Sequence, residues 1–291
     1  MSETHLRNHK KEAVKKPAAN NSSIGPNTVT SETNATMTTI KRNQDVTLSK
    51  ALSYVLRHAA PSLGLEPSPD GYVPVDDILS LSHPKFRDKQ SGRQRYTVDD
   101  VIRVVEMNQK RRFKLEYKSA PDDGYVEGTL QSISAERNKK LLCIRANQGH
   151  SFKAGLQSNK LLMPLDAGEL ISSELIIVHG TTQRAWEQIR MEGLRRMKRN
   201  HIHFATGLPN ENGQKSPISG MRSSSEIYIY ISGKKCAEDA IPFYRSDNGV
   251  ILTAGVDEGG LLSIKYFDKV VQASSGNVIW EHGQSWSWEG E

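Results

Sequence analysis

"LSKALSYVLRHAAPSLGLEPSPDGYVPVDDIL", Leu48 to Leu79, is the stretch from which the first half of the chain can be read. Leu48, Ala51, Leu52, Val55 and Leu56 recur at helical spacing and predict a helix over 48–60, with Thr47 or Asp45 as its cap. The apolar stripe ends on an adjacent Arg57 and His58, followed by Ala59, Ala60 and Pro61. Taken alone, the pair fits cations at a helix C-terminus, where the macrodipole favours them by about 0.3–1 kcal/mol. Asp70-Gly71 reads as a turn, Tyr72 to Val75 as a short extended piece, and Asp76 to Leu81 as a second helix.

Reading outward, Lys85 to Tyr96 is a basic, polar loop, and Thr97 caps a third helix carrying Val101, Ile102, Val104 and Val105. Arg111 to Tyr117 alternates and predicts a strand. Three short helices followed by a strand pair predict a winged-helix-like module. Lys118 to Lys140 reads as a linker or irregular insertion. Beyond it the texture turns to β, in 141–146, 175–181, 201–205, 226–232, 250–255 and 267–274, with one amphipathic helix from Thr182 to Glu192. The fold class expected is α+β: an N-terminal winged-helix-like lobe at 45–135 and a β-rich lobe at 136–291.

The first 44 residues carry seven Lys/Arg against three Glu and almost no Leu, Ile, Val or Phe, so they read as a disordered basic tail. The whole chain of 291 residues is formally +6, leaving the folded part only weakly basic. Where the charges lie must therefore carry any case for nucleic acid. No apolar run is long enough for a bilayer, and the first 30 residues lack a signal-peptide core. Cys143 and Cys236 read as reduced thiols of a cytoplasmic or nuclear protein.

Three basic clusters abut regular elements: Arg57-His58, "NQKRRF" (Asn108 to Phe113) and "RRMKRNHIHFA" (Arg195 to Ala205). Together they suggest one shared anion site, since a guanidinium offers two parallel charged hydrogen bonds to a phosphate. His150, His179, His201 and His203 are possible zinc ligands, but there is no H-E-x-x-H and no carboxylate nearby in sequence, so no metal is expected. Neither a P-loop nor a G-x-G-x-x-G fingerprint occurs, so any nucleotide must be held another way. His179-Gly180-Thr181, between a strand and a helix, offers free N–H groups and a hydroxyl. The serine triplet in "GMRSSSEIYIYI" (Gly220 to Ile231) is a further polar turn before a strand.

These blocks, with "DGYVPVDDIL", "ANQGHS" and "DNGVIL", follow one another in an order that resembles the RNA 2′-phosphotransferases, over roughly residues 46–275. The resemblance implies a winged-helix RNA-binding lobe and an ADP-ribosyltransferase-like lobe that takes NAD⁺ as co-substrate. It implies a tRNA partner carrying an internal 2′-phosphate at a splice junction, and a chain acting as a monomer without a membrane. The implied chemistry runs in two steps. The RNA 2′-phosphate attacks the anomeric carbon of the nicotinamide ribose and nicotinamide leaves. The ribose 2″-hydroxyl then attacks that phosphate, releasing a free 2′-OH and ADP-ribose 1″,2″-cyclic phosphate. The implied catalytic set is Arg57, His58, Arg112 and Arg199, with Arg112 preferred to Arg111 because it directly precedes Phe113. His179, Gly180, Thr181, Asn200, His201, His203, Arg222, Ser223 and Ser224 are implied to line the NAD⁺ cleft. The residues leave open whether His58 acts as acid or as base. Two rival readings are an ADP-ribosyltransferase with another acceptor and a non-catalytic RNA-binding module.

Overall fold

A computed structural model describes residues 29–119, 140–209 and 219–283. Residues 1–28 and 120–139, on which the expected tail and linker largely fall, lie outside the described residues. Helix α1 spans Val29–Tyr54 and so begins well before the expected start at 48. No Gly or Pro lies between 29 and 54, so nothing breaks the helix. Neither expected cap ends it. The Asp45 carboxylate accepts instead from Arg103, with Nη2 at 2.7 Å. Residues 29–43 form part of one compact unit, and the chain from Gln44 onward forms the other.

Two cores organise the unit that begins at Gln44. Leu48, Leu52, Val55 and Leu56 pack with α2 (Val75–Ser80), α3 (Val98–Glu106) and the small antiparallel sheet β1 (Val73–Pro74), β3 (Lys140–Ala146) and β2 (Phe113–Ser119). Helix α3 begins at Thr97 with a reciprocal cap. The Asp100 N–H donates to Thr97 Oγ1, and the Thr97 N–H donates to the Asp100 carboxylate. Residues 140–146, grouped by sequence with the second half, pair with β2 over seven positions from Phe113↔Ala146 to Ser119↔Lys140. Ile144 and Ala146 are fully buried in the first core.

The second core joins two four-stranded antiparallel sheets. One has the order β13 (Val278–Glu281), β12 (Phe267–Gln272), β8 (Ile227–Ile231), β5 (Val178–Thr181). The other runs β4 (Met163–Pro164), β9 (Tyr244–Arg245), β10 (Ile251–Thr253), β7 (Ile202–Phe204). A short antiparallel pair, β6 (Leu194–Arg195) with β11 (Leu261–Leu262), adds Leu194 and Leu262 to the same core. A bridge joins the two larger sheets where Val178 and Ala205 exchange backbone hydrogen bonds of 3.1 and 2.8 Å. β8 shows the clean alternation of a half-buried strand: Ile227, Ile229 and Ile231 are buried and the tyrosines between them half-buried. Helix α4 (Gln183–Glu192) buries Trp186 against this core; Thr182, expected as its first residue, is its cap instead. Mixed helices and antiparallel sheets make the chain α+β. Among the described residues, no helix is long and apolar enough to cross a membrane.

Candidate functional site

Past Tyr54 the helix does not simply end. Val55–Ala59 widens into a π-helical turn, closed by the Ala60 N–H donating to the Val55 carbonyl at 2.9 Å. Such turns often mark functional positions because they re-aim side chains that a regular helix would stack. Val55, Leu56 and Ala59 stay in the core, while Arg57 is half-buried and His58 exposed. Gly149, with φ +93°, runs so close that a Cβ there would meet Arg57 Cδ at 3.4 Å. The Ser151 N–H donates to the Arg57 carbonyl at 2.9 Å, and Ser151 Oγ lies 3.0 Å from His58 Nδ1. The "ANQGHS" segment therefore braces the Arg-His pair from behind.

Arg112 enters from the turn before β2. Arg111 takes φ +43°, and its carbonyl accepts from Asn147 Nδ2 at 2.7 Å. Arg112 Nη1 donates to Asn108 Oδ1 at 3.3 Å. The turn is also fastened to the second core. Lys110 Nζ donates to the Met221 carbonyl at 2.9 Å, and the Lys110 carbonyl accepts from Ser219 Oγ and Asn248 Nδ2, each at 2.9 Å. Arg199 arrives on the loop before β7, held by Arg196, whose guanidinium donates to the carbonyls of Arg199 and Glu258.

These groups sense one another. Burial, then Arg199, then Arg112 pull the Arg57 guanidinium down to about 10. Burial, Arg199 and Arg57 hold the His58 imidazole below its ordinary 6.5. Burial lowers Arg112; burial and Arg222 lower Arg199. His150 is pushed down to about 3 by burial, Arg57, His201 and His58, and His203 falls well below 6.5 by burial and Arg199. Among the described residues, none of Arg57, Arg112, Arg199 and Arg222 forms an ion pair. Among the described residues, Arg57 Nε and Nη2, Asn147 Oδ1, His150 Nε2 and His203 Nε2 are buried without a hydrogen-bond partner. Buried polar atoms are nearly always satisfied, so a cluster of orphans points to a ligand.

The cleft residues expected from the sequence divide in three. His179 and His203 join the cluster. His179 Nδ1 lies 2.9 Å from the His203 carbonyl, which can only accept, so the proton sits on Nδ1 and Nε2 of the neutral ring is an acceptor. Gly180 is a packing glycine, since a Cβ would come within 2.5 Å of Met221 Cγ and Ser225 Oγ. The Thr181 carbonyl accepts from the Glu226 N–H at 2.8 Å. Arg222 bears electrostatically on Arg199 and His179. Ser223 and Ser224 are exposed in the turn that Ser225 closes by donating to the Arg222 carbonyl. Asn200 and His201 face elsewhere as well: with Arg196, Lys153, Asp257 and Glu258 they line a cavity of about 620 Å³. Asn200 also ties the halves together, its Nδ2 donating to the Phe152 carbonyl at 2.8 Å. Asn147 was not singled out from the sequence and His150 only as a possible zinc ligand, although the "ANQGHS" block that holds them was visible. Among the described residues, no three His, Cys, Asp or Glu side chains converge as a metal site.

Arginines that are unpaired among the described residues, beside neutral histidines, suit an anion of concentrated charge. Comparison with known proteins gives the family. The family model described as RNA 2′-phosphotransferase, Tpt1 / KptA family matches residues 43–255. A protein of Schizosaccharomyces pombe, described as a putative tRNA 2′-phosphotransferase, is 44% identical over 238 residues. That match covers 82% of this chain and 54% of the relative, so the chain spans about half of that protein's length. The Homo sapiens tRNA 2′-phosphotransferase 1 is 43% identical over 233 residues, covering 80% of this chain and 78% of the relative. The Saccharomyces cerevisiae tRNA 2′-phosphotransferase is 34% identical over 218 residues, covering 74% and 81%. The chain belongs to the RNA 2′-phosphotransferase, Tpt1 / KptA family.

Proposed function

We propose that this protein removes the splice-junction 2′-phosphate from ligated tRNA by transferring it to NAD⁺, leaving a 2′-OH, nicotinamide and ADP-ribose 1″,2″-cyclic phosphate. The observation that carries the reading is the set Arg57, Arg112 and Arg199: the last two both bear on the Arg57 guanidinium, and none of the three forms an ion pair among the described residues. In this reading their forks hold the 2′-phosphate oxygens, position them for in-line attack and stabilise the charge that builds on phosphorus. The orphaned polar atoms of Asn147, His150 and His203, with His179 Nε2, fit the hydroxyls, pyrophosphate and carboxamide of NAD⁺. NAD⁺ supplies the electrophilic ribose carbon and the acceptor hydroxyl. His58 starts neutral under its positive neighbours, so it takes up a proton at its imidazole before it can return one.

We assign the two cores to a winged-helix-like RNA lobe and an ADP-ribosyltransferase-like NAD⁺ lobe. The pairing of Lys140–Ala146 with β2 favours placing the boundary after residue 146 rather than at 135. The two buried free thiols suit a reducing cytoplasm or nucleus, and the chain is taken to act as a monomer. The rival ADP-ribosyltransferase would need a free activating glutamate. Glu226, the one at the edge of β8, is occupied, because its carboxylate accepts from the Gln183 N–H at the start of α4 at 2.8 Å. The test is an oligonucleotide with one internal 2′-phosphate, incubated with and without NAD⁺ in EDTA while phosphate loss and nicotinamide release are followed together. Coupled loss and release are expected. Nicotinamide release with the phosphate retained would move the reading to the other acceptor class.

A further inference from the structure

A nucleic-acid-binding winged helix ordinarily uses its third helix as the reading element. Here α3 is unsuited to a polyanion. It carries Asp99, Asp100 and Glu106, and its one cation, Arg103, is committed to Asp45 at 2.7 Å and Asp100 at 2.6 Å. The turn before it is the opposite. Residues 85–96 hold Lys85, Arg87, Lys89, Arg93 and Arg95 against a single Asp88, a formal +4 within twelve residues of a chain that totals +6. None of these five cations forms an ion pair among the described residues.

The one carboxylate is spent on the turn itself. Asp88 Oδ1 accepts from the N–H groups of Gln90 and Ser91 and from Ser91 Oγ at 3.1, 2.9 and 2.9 Å. The Asp88 N–H donates to the Arg93 carbonyl at 2.9 Å, Gly92 takes φ +66°, and an Arg87–Gln94 bridge closes the base. Phe86 and Tyr96, edge to face at 6.4 Å, anchor both ends in the first core. Lys85, Lys89, Arg93 and Arg95 are therefore displayed to solvent on a folded scaffold. The scaffold also stands beside the catalytic cluster. Lys85 lies over the Tyr54 ring at 5.3 Å, and His83 packs on the same ring at 5.7 Å. Tyr54 precedes His58 by one helical turn, so it shares that side of the helix.

We propose that the 85–96 turn is a second RNA contact: it docks the phosphate backbone of the substrate's folded body while the arginine cluster holds the 2′-phosphate. This deepens the phosphotransferase reading and rests on it for the identity of the RNA. The turn contributes affinity and salt dependence but no chemistry, since none of its cations is among the groups that bear on Arg57 or His58.

The test uses the full chain and the double variant Lys89→Gln/Arg93→Gln, whose side chains make no ion pair, so folding is expected to survive. Binding of a labelled tRNA transcript and of a 2′-phosphorylated oligomer of about six nucleotides is followed from about 50 to 200 mM salt. Each lost phosphate contact lowers the salt slope by about one. The slope for tRNA should fall by about two, with an affinity loss on the order of tenfold at the lower salt. Binding and turnover of the short oligomer should be unchanged, and Lys89→Arg/Arg93→Lys should retain the slope. An unchanged tRNA slope, or equal losses on both RNAs, would overturn the proposal. If the wild-type chain failed to turn over the short oligomer, the phosphotransferase reading would fall instead, and the two salt slopes would still decide whether the turn binds RNA.

Discussion

Two sets of arginines in this molecule have opposite surroundings. Arg145 is buried, and its Nη2 meets Asp247 Oδ2 at 2.5 Å while Nη1 donates to the Asp70 carbonyl at 3.0 Å. Asp247 also takes Lys114 at 3.0 Å, and its carbonyl accepts from Arg111, so one aspartate in the turn between β9 and β10 gathers three cations from β2, β3 and the turn before β2. Among the described residues Arg57, Arg112 and Arg199 pair with no carboxylate, and burial, Arg199 and Arg112 lower the proton affinity of Arg57. Neutralised cations hold the fold, whereas the un-neutralised ones are held by the fold at a cost that a bound anion would offset. A site that stabilises a ligand's charge commonly destabilises the empty protein.

The sharpest way to break this comparison is to remove one arginine from each side. Arg199→Ala should lower turnover of a 2′-phosphorylated RNA by about 10³-fold or more, as loss of a charge-stabilising group in phosphoryl transfer does. Its thermal midpoint should stay level or rise, because Arg199 depresses the proton affinity of Arg57, His58, His179 and His203. A variant that turns over like wild type would remove Arg199 from the site, and one that melts much earlier would make it structural. Asp247→Asn should do the reverse. It strands a buried guanidinium and its neighbouring cations at the junction of the cores, costing about 2–3 kcal/mol once the part-exposure of Asp247 is allowed for. Denaturant unfolding would show the loss, and an unchanged midpoint would mean that the pairing contributes nothing net.

Histidines make the comparison depend on pH. Folded His150 titrates near 3, against 6.5 for an ordinary imidazole, because burial and Arg57 disfavour its charge. Above 6.5 both folded and unfolded chains keep it neutral. As pH falls below 6.5 only the unfolded chain takes the proton, so stability declines until about pH 3. His150 alone should therefore cost about 2 kcal/mol between pH 6.5 and 5. His201, held near 4 by burial and Arg196, and His203 act in the same direction. Melting curves from pH 7 to 5 should show the fall, His150→Asn should blunt it, and a flat wild-type profile would contradict the burial argument.

Much of this was legible in sequence, for reasons that can be located. The strands at 202–204, 227–231 and 251–253 and the cap Thr97 were readable because each depends on a local period or a single side-chain oxygen. The arginine set was readable as three basic blocks that suggested one anion site, but which arginine of each block enters it was supplied by resemblance: Arg57, Arg112 and Arg199 lie far apart in sequence, and only the packing of the two cores brings Arg112 and Arg199 within electrostatic reach of Arg57. The π-helical turn at 55–59 leaves no trace in residue spacing. Arg111 at φ +43° is no glycine, so its turn was invisible too. Two-residue strands such as β4, β6 and β9 are too short to carry alternation. Lys140–Ala146 was grouped with the second half, although it pairs in the first, because a strand's own pattern does not name its partners.

The smallest expected effect separates pairing from burial. Arg190 lies 2.9 Å from Glu187 on α4, as good a contact as the Lys114–Asp247 pair, yet both side chains are about half exposed, at 51% and 53%. Water already solvates each partner, so forming the pair recovers little and costs side-chain entropy. Arg190→Ala should then move stability by no more than about 0.5 kcal/mol, well under the effect of Asp247→Asn, although each removes one ionic partner. A loss at Arg190 matching that at Asp247 would mean that proximity to a carboxylate alone sets the worth of an arginine here. A negligible loss would assign the difference to the 7% exposure of the Arg145 side chain. The same logic then bears on Arg57: among the described residues it is a largely buried guanidinium with no carboxylate, which is costly in the empty protein, and a bound anion would recover part of that cost.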